Sequence, residues 1–108
     1  MTERQVQEGI RSLVDVDPVI HAPARLSVLI YLYVVASADF VFLKNMTGLS
    51  WGNLSTHLSK LEEAGYVEVE KEFIGKKPHT MLHLTGDGRL AFREYRQRMR
   101  QVLDDLPD

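Results

Sequence analysis

Apolar and polar positions along the chain repeat with two different periods, and the changes of period mark its elements. Val6, Ile10 and Leu13 fall at helical spacing among Glu, Arg and Gln, which predicts an amphipathic helix over about 3–14, weakened by Gly9. Asp15-Val-Asp-Pro18 ends it, because the residue before a proline avoids helical dihedrals. Pro23, tolerated in a first turn where its missing N–H is not needed, opens a second helix over about 23–36. Its apolar residues lie almost all round: Leu26, Val28, Leu29, Ile30, Leu32, Val34 and Val35, with Tyr31 and Tyr33. That distribution predicts a central, buried helix.

Ser37-Ala-Asp39 reads as a break with Asp39 as an N-cap, and Phe40, Leu43 and Met46 stripe a short helix that stops at Thr47-Gly48. Another helix follows at once, capped by Ser50 and closed by Gly65, spanning about 51–64. Leu54, Leu58 and Leu61 form its apolar stripe. The opposite face carries Gly52, Asn53, Thr56, Ser59 and Lys60, with Trp51, Ser55 and His57 on the flanks and Glu62 and Glu63 held at the far end. Two helices joined through Gly48-Leu49-Ser50 match a helix-turn-helix over about 40–64.

After Gly65 the period falls to two. Val67 and Val69 alternate with Glu68, Glu70 and Glu72 up to Phe73, Ile74-Gly-Lys-Lys-Pro78 reads as a turn, and Thr80 to Thr85 returns, so a hairpin occupies about 66–85. Thr85 then caps a last helix over about 86–106. Phe92, Tyr95, Met99, Val102 and Leu106 make a seam across two heptads of it, with Leu90 and Leu103 left over for a second subunit to cover.

Composition narrows the class. The 108 residues fit one domain, 1–108, and 44% hydrophobic with 26% charged residues is an ordinary globular balance. The net charge of −2 argues against a broadly basic surface, so any contact with nucleic acid must come from a local patch. The absence of cysteine removes disulfides, thiolate metal sites and cysteine nucleophiles together. The apolar run Leu26–Ala36 is too short to span a bilayer and the N-terminus is polar, so the expected location is the cytoplasm, without membrane association. No paired carboxylates, nucleophile–base spacing or glycine-rich phosphate loop suggests an enzyme, and Gly86-Asp-Gly88 reads as a helix start. Asp15, Asp17 and His21 straddle Pro18 without ligand spacing and are assigned capping and surface roles, so neither a metal site nor a cofactor is expected.

Helix, helix, helix-turn-helix, hairpin, helix is the order of a winged-helix domain. The run Ser55-Thr-His57-Leu58 through Leu61-Glu-Glu-Ala-Gly65-Tyr-Val67 resembles the recognition helix and strand entry of MarR/ArsR-like winged helix-turn-helix transcriptional regulators. His21, Pro23, Arg25 and Leu26 resemble that group's His-x-Pro-x-Arg-Leu helix entry, and Thr80 with Leu84-Thr85-x-x-Gly88 its second wing strand and final helix. The likeness covers about residues 17–95 and is closest to the small single-domain bacterial and archaeal type. It implies a mainly α fold with a β-hairpin wing, N- and C-terminal dimerisation helices, and sequence-specific DNA binding as a homodimer on a pseudo-palindromic operator. The partners implied are double-stranded DNA and a second copy of the chain, with room for a small-molecule effector of unspecified kind. The chain departs from the metal-sensing members, since its last helix has no His and it has no Cys.

In such a fold helix 51–64 enters the major groove and the wing tip 75–78 meets the backbone or minor groove. Asn53 suits adenine N6 and N7, and Thr56 a base or a thymine methyl; Ser50, Ser55 and His57 are within reach of a phosphate or base. Lys60, Lys76, Lys77 and His79 are phosphate candidates, with Lys44 in support. Trp51 has two uses open to it, stacking on a sugar or wedging against the preceding helix. Val6, Ile10, Leu13, Phe92, Tyr95, Met99, Val102 and Leu106 are assigned to dimerisation, and Tyr31, Tyr33, Phe40 and Phe42 to core before ligand pocket. The alternative reading is a winged-helix module that binds protein through Trp51 and an acidic wing, without sequence-specific DNA binding.

Overall fold

Residues 2–107 are described by a computed structural model of the chain. Its elements are α1 (Glu3–Val14), α2 (Pro23–Val35), β1 (Ser37–Asp39), α3 (Phe40–Thr47), α4 (Trp51–Glu63), β2 (Val67–Ile74), β3 (Lys77–Leu84) and α5 (Gly86–Asp104). The strands form one antiparallel sheet in the order β1-β3-β2.

Local chemistry sets most boundaries. The side chains of Asp39, Ser50 and Thr85 accept hydrogen bonds from the backbone N–H of Phe42, Asn53 and Gly88, which starts α3, α4 and α5. Gly48 and Gly65 close α3 and α4 with φ of +72° and +79°, a conformation that costs an L side chain energy and glycine nothing. Gly88 answers a different demand. A Cβ there would lie 2.2 Å from the Tyr66 carbonyl oxygen, so α5 reaches the β2 entry closely only because this residue has no side chain. Thr85 reinforces the joint by donating its hydroxyl to the Gly65 carbonyl at 2.6 Å.

Four expectations are corrected. The helix at 23–36 ends at Val35 and is not buried all round: Val28, Leu29 and Leu32 are core, but Ile30, Val34 and Val35 are exposed, the outward side of a helix lying on the sheet and on α3 and α4. Ser37–Asp39, read as a break, is also a short strand pairing Ala38 with Leu82, three residues being too few for an alternation to declare itself. Within the wing the strands are longer and the turn tighter: β2 runs on to Ile74, opposite Lys77, leaving Gly75 and Lys76 as the turn, with Gly75 at φ +64°. In the C-terminal seam, Phe92 and Tyr95 are only 8% and 7% exposed, because they pack into their own core beside Tyr33 and His21. They are unavailable to a partner, and the helix itself stops at Asp104.

The core gathers Ile20, Val28, Leu29, Leu32, Leu43, Leu54, Leu61 and Leu82 between α2–α4 and the sheet. The α1–α2 loop is tied to it from several sides. Asp17 accepts the Tyr66 hydroxyl, His21 Nδ1 and the Tyr95 hydroxyl are hydrogen-bonded at 2.9 Å, and Arg98 donates to the Asp15 carbonyl at 3.1 Å. Beyond this loop α1 packs principally on α5 and buries none of its residues. The pair extends as an arm, giving extents of 62 × 25 × 21 Å and a radius of gyration of 16.5 Å, against about 13 Å for a compact chain of this length.

Candidate nucleic-acid interface

The site is built on α4. Leu54, Leu58 and Leu61 are buried, which fixes the helix in rotation about its axis and turns the other side to solvent. On that side Trp51, Asn53, Ser55, Thr56, Ser59 and Lys60 are exposed and His57 is half-buried. Seven residues assigned from sequence, Ser50, Trp51, Asn53, Ser55, Thr56, His57 and Lys60, are therefore brought together on one helix and its cap.

Several of these side chains have commitments within the protein. Ser50 Oγ accepts from the Asn53 backbone N–H at 3.1 Å, and the Asn53 side chain has no internal partner among the described residues. Thr56 donates its hydroxyl to the Gly52 carbonyl at 3.0 Å, so its methyl and the lone pairs of its oxygen are what it has to offer. His57 Nδ1 lies 3.2 Å from Arg25 Nη1. Burial pushes the His57 pKa below 6.5, and the positive charges of Arg25 and Lys60 push it further the same way, so its neutral form dominates near neutral pH. Trp51 lies parallel to Phe40, ring centres 5.5 Å apart and planes 3° apart, with Lys44 Nζ 4.9 Å from its ring centre, yet it remains 55% exposed. It wedges against α3 and also keeps a surface for another molecule.

The wing divides by register. Glu68, Glu70 and Glu72 stand directly across from His83, Met81 and His79 and share one face, where Glu70 meets His83 at 2.9 Å and Glu72 meets His79 at 4.0 Å. The other face turns Val69, Lys71, Thr80 and Leu82 toward α4. Between them lies a groove of about 690 Å³ with Leu58, Val69 and Leu82 in its floor and Ser55, Ser59, Lys71 and Thr80 along it, Glu62 closing one end. Lys71 was missed in the sequence, although the alternation that put three glutamates on one face put this lysine on the other. Lys76 stands in the tip turn and Lys77 in the first residue of β3, both exposed. His79, the tenth assigned residue, borders a shallow depression of about 180 Å³ shared with Trp51 and Phe40, not the α4 groove.

The residues left for an intersubunit role are at the arm. Val6, Ile10 and Leu106 are 38%, 56% and 50% exposed and, with Leu13 and Val102, line an apolar groove of about 620 Å³ between α1 and α5; Met99 is partly buried against the core. Among the described residues no helix is long and apolar enough to cross a membrane, and no cluster of three or more His, Cys, Asp or Glu side chains could hold a metal ion.

A family described as a winged helix DNA-binding domain matches residues 24–103. An uncharacterised protein of Methanocaldococcus jannaschii is 38% identical over 77 residues, 71% of this chain and 84% of that protein. Among solved structures, a transcriptional regulator homologue from Pyrococcus horikoshii is similar with a TM-score of 0.77 at 27% identity, over 95% of this chain and 99% of that one. A MarR variant from E. coli, complexed with operator DNA, has a TM-score of 0.64 at 22% identity over 97% of this chain and 74% of its own, a likeness of fold.

Proposed function

The chain belongs to the winged helix DNA-binding domain family, and from that premise we propose a sequence-specific transcriptional regulator, not an enzyme, acting as a homodimer. The observation that carries the reading is the burial of the α4 leucines behind an exposed face of Asn53, Thr56 and Lys60. A helix held this firmly in rotation offers the same few side chains to every duplex it meets, which sequence reading requires.

In this reading α4 lies in the major groove. Asn53 pairs with adenine N6 and N7, Thr56 offers its methyl to thymine, and Lys60 meets a phosphate. One strand's backbone passes along the groove between α4 and the wing, where Ser55, Ser59 and Lys71 meet it, while Lys76 and Lys77 reach the next phosphates or the minor groove. The glutamates on the far face of the wing repel phosphate and keep the contact to the tip and the inner face. Two copies join through the arm, burying Val6, Ile10, Val102 and Leu106, and so present two α4 helices to a pseudo-palindromic operator with half-sites about one helical turn apart. Such a regulator works in the compartment that holds the chromosome, the cytoplasm.

A second reading, protein binding through Trp51 and the wing, is supported by the half-exposed Trp51 ring. Fluorescence anisotropy on duplexes selected from a random pool separates the two. The first reading expects salt-sensitive binding at least about a thousandfold tighter than to random duplex. Uniformly weak binding at near-physiological salt would reject it.

A further inference from the structure

Arg25 lies in α2, yet its guanidinium serves groups outside that helix. Nε donates to the Val19 carbonyl at 2.5 Å and Nη2 to the Pro18 carbonyl at 3.3 Å, both in the α1–α2 loop. The fork is pinned by these two bonds, and its remaining arm, Nη1, lies 3.2 Å from His57 Nδ1. A guanidinium has donors and no acceptor, and it keeps its charge at any ordinary pH. Nδ1 must then be the acceptor, and a neutral imidazole that accepts at Nδ1 carries its proton on Nε2. The charged groups acting on the ring are Arg25 from α2 and Lys60 from α4 itself, both cationic, and both oppose a second proton. Among the described residues no protein group pairs with Nε2.

We infer that Arg25 is a positioning residue for base reading: it locks His57 in the Nε2–H tautomer, so that this flank of the recognition helix presents a hydrogen-bond donor to DNA and no acceptor. The consequence is a restriction on sequence. A donor fits guanine N7 or O6, adenine N7, thymine O4 or a phosphate oxygen, and it rejects the amino groups of adenine and cytosine. An imidazole free to choose its tautomer would accept either kind of partner. The inference rests on the proposed DNA-reading role of α4, but the tautomer belongs to the free protein and is measured without DNA.

Long-range nitrogen-15 spectra of the histidine side chains, recorded on the whole protein near neutral pH with His57 assigned through His57→Gln, test it directly. The expected result is a dominant Nε2–H form in the wild type and a mixture of tautomers in Arg25→Met, checked for folding by its melting curve. Arg25→Lys, which keeps the charge but not the fork, serves if Arg25→Met does not fold, and is also expected to give a mixture. An Nδ1–H form, or unchanged populations in the variant, overturns the inference whatever DNA binding proves to be.

A second arm uses a duplex selected from a random pool by the wild-type protein. His57→Gln, whose amide reaches the Nε2 position as a donor, is expected to bind within about threefold of wild type, whereas His57→Asn, which falls short, loses about tenfold, the worth of one hydrogen bond. Arg25→Met is expected to lose only about twofold on that duplex, the cost of an even tautomer mixture, while its preference for an acceptor over an amino group at the contacted position relaxes, and His57→Asn loses about tenfold in either background. Replacing purines by their 7-deaza forms, or single phosphates by methylphosphonates, tells a base acceptor from a phosphate. A salt dependence that drops by about one charge in Arg25→Met with the tautomer unchanged would make Arg25 itself a phosphate ligand and overturn the inference. Failure to select any duplex would remove the DNA-reading role while the nitrogen-15 result stood.

Discussion

On α4 every apolar residue of the stripe is buried by the same chain, whereas α1 buries nothing and the arm it forms with α5 leaves Val6, Ile10, Val14, Leu103 and Leu106 in contact with solvent. The two ends carry similar amphipathic helices, so the difference lies in what each is packed against. The α4 stripe meets α2 and the sheet, and its polar face is left free by geometry. The arm has two helices and no third layer, a shape that exposes apolar surface worth about 25 cal/mol for each Å² removed from water. The α4 end is completed within one chain, whereas in the proposed dimer the arm is completed by a partner.

That contrast is broken most severely at the reading end. Leu61→Ala should cost about 2–5 kcal/mol in urea unfolding, by the same amount at low and high protein concentration, since a fully buried site collapses poorly onto its cavity. Gly88→Ala acts at the joint between the two regions. The new methyl meets backbone at Tyr66, so about 1–3 kcal/mol should be lost, with α5 displaced and the arm displaced with it. Ile10→Glu acts on the arm alone. It should weaken dimerisation at least about tenfold in sedimentation and shift the concentration dependence of Tm to higher protein concentration, while the far-ultraviolet spectrum of the chain is little changed. An unchanged association state would mean that the arm is not where two copies meet.

Smaller effects sharpen the picture. Lys71→Ala should lower the salt dependence of DNA binding by about one charge on all sequences alike, and a change of sequence preference instead would exclude a phosphate role. The Tyr66 hydroxyl is pushed up to about 12, because its hydrogen bond to Asp17 holds the proton, burial adds to this, and the unfolded chain releases it near 10.0. The raised value means that this contribution to stability is complete below pH 10 and is lost as pH rises toward 12. Tyr66→Phe should flatten that alkaline slope in unfolding measured across the range.

The sequence made the reading end legible because each signal there is local. Ser50, Gly48, Gly65 and Thr85 act within a turn of the backbone they shape, and the Leu54–Leu58–Leu61 spacing states which side is buried. Phe92 and Tyr95 were misassigned for the opposite reason: a heptad seam looks the same whether it packs on its own core or on a partner, and only the position of α2 decides. The all-round apolar character of α2 failed similarly, since periodicity cannot say whether a third layer exists to cover Ile30 and Val34. Arg25 gave no warning of its reach to His57, 32 residues away, because its partners are two carbonyls of an irregular loop.

The register of the wing has one more consequence. β1 ends at Asp39, opposite Met81, so the rest of β3 has no strand on that side. Leu84 donates its N–H to Ala36 on this side, and by the two-residue period so would residues 80 and 78. Residue 78 is proline. The unpartnered rim of β3 thus lacks a donor where a stray strand would seek one, and that margin of the ribbon is blunted against the edge-to-edge aggregation that exposed sheet margins invite.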